Sequence, residues 1–172
     1  ILNSTLRLTT PVAYVTLAAI ISEKSGINAL AMEGIMLVGS FGAVLGSFLT
    51  GSAWLGVVFG MAFSAGLSLL RGLLCITYQA NQTVAGVGAN IFASGLTAIL
   101  LKIIWGMDGK SDMVNSLTAW HIPFVRDIPF LGRILGEQNP LVYLLFPCLI
   151  GLYILMYKTS FGLRVTVAGE KP

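Results

Sequence analysis

One acid and a ladder of amides carry what chemistry this chain offers. In "SEKSGINALAMEGIMLVGS" (22–40), Glu33 is the only acid at the entrance of an apolar run, and Asn28 stands five places before it. Further on, Gln82, Gly86, Asn90, Ser94 and Ala98 recur every four residues. That spacing sets them on one helix face, a polar-to-small stripe on an otherwise apolar segment. Amides both donate and accept hydrogen bonds, so the stripe suits hydroxyls and bases. A buried amide without a partner costs roughly 1–3 kcal/mol, so these side chains either pair across helices or line a wet pathway. Glu33 has two readings as well. It suits the positive end of a helix dipole in a first turn, and an ionisable residue inside a membrane span is functional by default.

Bond-breaking chemistry finds no support. "GMDGKS" (106–111) fails the phosphate-loop pattern, because Ile104 stands where the first glycine is needed. "GVG" at 86–88 lacks the third glycine and the preceding strand of a dinucleotide site. His121 is the single histidine and has no Cys, His or carboxylate cluster around it. No nucleophile stands near a base. No catalytic or metal-binding residue is expected.

The elements that must hold these residues are membrane helices. Of the 172 residues, 56% are hydrophobic and 10% charged, against about 25% charged in soluble domains. So few charges cannot coat a soluble surface. No Asp, Glu, Lys or Arg occurs over 34–70, 72–101 or 138–157, and a spanning helix needs about 20 apolar residues. Five helical spans are predicted, at roughly 6–22, 33–49, 53–75, 84–105 and 140–157. "TGSAW" (50–54) supplies a tight turn between the second and third. A barrel is excluded by run length and the lack of alternation. Cys75 and Cys148 read as small buried hydrophobes.

Small residues mark two helix faces, Gly56, Gly60, Ser64, Ser68 and Gly72 on one, Gly39, Gly42, Ala43 and Gly46 on the other. They predict close helix packing. Segment 106–139 holds Asp108, Lys110, Asp112, Arg126, Asp127, Arg133 and Glu137 and reads as an extracytoplasmic loop with a short interfacial helix. Lys24, Lys158, Arg164 and Lys171 then fall on the cytoplasmic side, with Arg71 nearby. The net charge of +3 comes without a Lys/Arg cluster, so no nucleic-acid partner is expected.

Three stretches in order, "LRLTTPVAYVTLAAIISEKSGINALAMEGIMLVGSFGAV", "YQANQTVAGVGANIFASGLT" and "YKTSFGLRVTVAGEKP", give the chain a recognisable character. It resembles the membrane subunit of bacterial ABC importers of the branched-chain amino acid and simple-sugar permease family, nearest the simple-sugar/nucleoside branch. The resemblance implies an all-helical integral membrane permease with broken helices in a bacterial plasma membrane. It implies a second permease subunit, ATPase subunits that bind ATP and Mg, and an external substrate-binding lipoprotein. The permease chain itself would hold no cofactor, and membrane lipid would be among its partners. The family pattern "GLR…AVGENP" matches Gly162, Leu163, Arg164, Ala168, Gly169, Glu170 and Pro172, with Lys171 where Asn is common. Segment 158–172 is thus a cytoplasmic loop leading to an ATPase-coupling helix, with Arg164, Gly169 and Glu170 in the coupling region. Relatives often read "ERSGVVNIGLEG". Here Asn28 sits one place early and Ala31 replaces Gly, while Ser25, Gly26, Glu33 and Gly34 align.

The expected reading is one permease region over 1–172, a fragment of a longer chain. It would carry a nucleoside or simple sugar along a path lined by Glu33, Gln82, Asn90 and Asn28. An ion-coupled transporter or channel, and a non-transporting membrane scaffold, are the alternatives.

Overall fold

The computed structural model describes residues 2–106, 110–111, 113, 120–121 and 137–170. The interfacial helix expected within 106–139 lies outside the described residues. Among the described residues, five helices are long and apolar enough to cross a membrane: α1 (Leu2–Lys24), α2 (Met32–Thr50), α3 (Ala53–Ile76), α4 (Gln82–Trp105) and α5 (Pro140–Lys158). A sixth, α6 (Ser160–Glu170), is short. Segment 158–172, expected as a loop, is therefore helical over Ser160–Glu170. Extended pairing among the described residues is limited to Trp120–His121 (β1), antiparallel to Glu137–Gln138 (β2). The architecture is all-helical and polytopic, as the apolar runs require.

Two compact units make up the chain. The first joins residues 1–27 to 117–172 and contains α1, α5 and α6. Helix α1 ends in a Schellman motif that its sequence spells out. Gly26 takes φ +81°, Ile27 N–H donates to Ser22 C=O at 3.1 Å and Gly26 N–H donates to Glu23 C=O at 3.0 Å. These two bonds satisfy carbonyls that the helix end leaves open, and only glycine adopts that φ without strain. The Ser25 hydroxyl adds a bond to Ser22 C=O at 2.7 Å. Tyr14 donates to Leu141 C=O at 2.8 Å, tying α1 to the start of α5. The Lys24 ammonium lies 4.2 Å from the centre of the Tyr157 ring and bonds its hydroxyl at 3.1 Å.

Helix α6 folds back on its neighbours through two glycines. A Cβ at Gly162 would collide with the Met156 carbonyl of α5. One at Gly169 would collide with the Lys24 carbonyl and sit 2.9 Å from Gly26 N. Both glycines belong to the "GLR…AVGE" pattern, and both are points of backbone-to-backbone approach.

The second unit, residues 28–116, holds α2, α3 and α4. Its α2–α3 hairpin turns at Gly51 (φ +67°), whose N–H reaches Ser47 C=O at 2.9 Å. The small-residue faces meet as predicted. A Cβ at Gly60 would lie 2.8 Å from Gly39 O, and one at Gly56 2.7 Å from Ala43 O. Gly42 and Gly46 receive the Phe63 and Phe59 side chains. Farther along α3 the stripe departs from this seam, and Gly72 has open space beside it. The core is small: Val38, Leu67 and Ala93, with Ile35 against them. Phe41 and Phe48 meet the Trp105 ring edge-on at 6.4 and 5.4 Å. Most large apolar side chains point outward, as lipid-facing helices require. Cys75 and Cys148 are free, half-buried and exposed respectively. The expected burial thus fails for Cys148, whose thiol behaves as one more outward apolar group.

Candidate functional site

The stretch before α2 is not helical. Residues 28–31 approach α2 without regular structure, and Ala31, fully buried, takes the N-cap position with no side chain able to cap. The first N–H groups of a helix have no partner within it. Irregular backbone at membrane depth must find partners in protein.

Those partners come from α3 and α4. Gln82 Oε1 accepts from Asn28 N–H at 3.1 Å. The Asn28 carbonyl accepts from the Arg71 guanidinium. Asn90 serves two groups at once. Its Oδ1 accepts from Gly34 N–H at 2.8 Å, and its Nδ2 donates to Leu30 C=O at 2.9 Å. The Asn90 amide thus caps α2 from another helix and completes the turn in front of it. Four backbone groups between Asn28 and Gly34 are met by three side chains. Small residues allow the approach. A Cβ at Gly86 would meet Leu30 Cβ at 2.9 Å, and one at Gly34 would meet Asn90 Oδ1 at 2.9 Å.

The stripe on α4 is therefore split in its work. Gln82, Gly86 and Asn90 hold the segment before α2. Ser94 bonds Ile91 C=O at 2.9 Å on its own helix and faces a shallow cleft. That cleft, about 290 Å³, is lined by Glu33, Gly34, Leu37, Asn90, Ile91 and Ser94. Glu33 stands exposed in the first turn of α2, with no partner among the described residues. The cleft thus combines a carboxylate, an amide edge and a hydroxyl on apolar walls, groups able to hydrogen-bond hydroxyls or ring nitrogens.

The structure brings Glu33 and Asn90 together and places Gln82 and Asn28 on each other instead. Arg164, Gly169 and Glu170 all lie on α6, in the other unit. Leu163, Arg164, Val167 and Ala168 line a groove of about 460 Å³ on that helix. The residue least legible beforehand is Arg71, which is 6% exposed. Its signal was present: it is the single charge between Glu33 and Lys102.

The chain is similar to the guanosine ABC transporter permease protein NupQ of Bacillus subtilis, at 32% identity over 100% of this chain and 56% of that protein. It is similar to the nucleoside ABC transporter permease protein NupC of Lactococcus lactis, at 29% identity over 95% of this chain and 53% of that protein. A third relative, TsgC13 of Haloferax volcanii, named provisionally as a glucose ABC transporter permease, is 27% identical over 100% of this chain and 52% of its own. The chain spans about half the length of these curated relatives. No solved structure matches it significantly. The family model for the branched-chain amino acid transport system permease component matches residues 1–172, and the chain belongs to that family of membrane transport subunits.

Proposed function

We propose that this chain forms part of the membrane-spanning permease subunit of an ABC importer in a bacterial plasma membrane, and that its solute is a nucleoside. The observation that carries this reading is the cleft where Glu33, Asn90 and Ser94 converge at an irregular entry to α2. Transport proteins build solute sites at such entries, where backbone and polar side chains replace water. A nucleoside offers ribose hydroxyls and ring nitrogens that match a carboxylate, an amide and a hydroxyl. The names of two relatives, guanosine and nucleoside permeases, favour the same class. Glu33 and Ser94 meet the solute directly, while Asn90 and Gln82 hold the wall and Asn28 belongs to the segment they hold. Arg164, Gly169 and Glu170 lie where a separate ATPase engages, with 158–172 cytoplasmic and 106–139 outside. That ATPase, a second permease subunit and an external lipoprotein complete the importer, and ATP with Mg is bound by the ATPase.

The test is uptake of labelled guanosine by cells expressing the full permease with its ATPase and lipoprotein in a host lacking nucleoside uptake. Uptake that requires the ATPase, competes with other nucleosides and ignores glucose supports the reading. Competition by glucose but not by nucleosides assigns a sugar instead. Uptake that survives loss of the ATPase and collapses with the ion gradient overturns it.

A further inference from the structure

Arg71 has no role in the reading above, yet it is the most buried charged side chain described. It lies on α3, five residues before the helix ends at Ile76. Its guanidinium donates to the Asn28 carbonyl, and its Nε is buried with no partner. No described acid stands in a salt bridge with it. A guanidinium inside a membrane span is costly and is retained where it does work. Capping one carbonyl does not by itself require a charge. Beside it, Gln82 and Asn90 meet the neighbouring backbone groups as neutral amides. A charge-assisted bond is the stronger and more strictly oriented of the two kinds. It falls on the residue where the irregular segment begins.

We propose that Arg71 is a positioning residue: it fixes the Asn28 carbonyl and, through the short stretch to α2, sets where Glu33 stands in the cleft. The backbone of Asn28 is gripped from both helices, its N–H by Gln82 of α4 and its carbonyl by Arg71 of α3. Five residues on, Glu33 has no described partner to hold it, so its place depends on the anchoring behind it. This inference rests on the proposal that the cleft takes the solute.

The experiment uses the full permease with its partners, with Cys75 and Cys148 replaced by Ala and a reporter at Leu37→Cys, one turn beyond Glu33 in the cleft wall. The rate of labelling by a water-soluble maleimide is read with and without guanosine, in Arg71, Arg71→Lys and Arg71→Leu chains. Uptake KM and Vmax are read in parallel without the reporter. Arg71→Leu is expected to change the labelling rate more than fivefold and to abolish guanosine protection. It raises the KM for uptake at least tenfold, more than it lowers Vmax. Arg71→Lys, which keeps the charge, recovers most of each. Should Arg71→Leu fail to accumulate, Arg71→Gln takes its place, since it donates without charge. Labelling, protection and KM that stay within twofold in an inserted neutral variant overturn the proposal. So does a loss that Arg71→Lys shares in full. A labelling change with Arg71→Leu, but no guanosine protection even with Arg71 intact, leaves the positioning role standing and sinks the solute assignment of the cleft.

Discussion

Gly169 of α6 lies against Gly26 of the turn that ends α1, backbone to backbone, with 3.1 Å from the ideal Cβ position of Gly26 to Gly169 Cα. Neither residue has room for a side chain, and Gly26 also needs its positive φ. A side chain at Gly169 would therefore push α6 off the turn that ends α1. Gly169→Val is expected to displace α6 and to uncouple ATP hydrolysis from uptake. Gly26→Ala adds strain of about 1–2 kcal/mol from the left-handed backbone alone. The check is solute-stimulated ATPase activity of the assembled importer in proteoliposomes. Stimulation that survives Gly169→Val at the native level refutes the coupling role of this contact.

Asn90→Leu removes two bonds together and leaves Leu30 C=O and Gly34 N–H unmet, at about 1–3 kcal/mol for each group. The apparent melting midpoint of the purified permease is expected to fall by several degrees. Asn90→Asp keeps an acceptor for Gly34 N–H but turns an oxygen toward the Leu30 carbonyl, so it falls between the two. Thermal unfolding in detergent, measured for all three chains, checks the order.

Glu33→Gln is expected to behave in the opposite manner. The side chain is exposed and has no described partner, so its loss shifts stability by no more than about 0.5 kcal/mol. Uptake is expected to drop at least tenfold. Equal losses of stability and uptake would instead make Glu33 a structural residue of the first turn of α2.

Gly60→Val tests the α2–α3 seam. The added atoms meet Gly39 O and Ala43 Cβ at 2.8 and 3.0 Å from the first carbon onward, and such overpacking costs about 1–3 kcal/mol. Gly66→Val on the same helix meets open space and serves as the comparison. Expression level and melting midpoint are expected to fall for the first and hold for the second.

The helices themselves were legible because lipid demands long uncharged runs. Runs broken only by "TGSAW", Arg71 and the polar stretch at 76–83 set α2, α3 and α4 to within two residues. The glycine seam was legible because a spacing of four is a face. The Schellman turn was written in "SEKSG", where a glycine follows the last polar turn of α1. Two things lay beyond reach. A stripe of amides looks the same whether it faces solute or backbone, and only the fold shows that Gln82 and Asn90 reach the peptide groups around Asn28 and Leu30. Helix α6 was hidden because "SFGLRVTVAGE" mixes β-branched residues and glycines, which have weak helix propensity. Packing of Gly162 and Gly169 on α5 and α1 outweighs that propensity.

Arg71, Gln82 and Asn90 grip main-chain atoms, and those atoms are the same in every amino acid but proline, which lacks the N–H. A socket of this kind is blind to the side chains it holds. The stretch from Asn28 to Leu30 can therefore exchange its residues, or shift an asparagine by one place relative to its kin, while its path is kept. Selection is then free to vary those few positions without redirecting the chain into α2, and a designer has the same freedom.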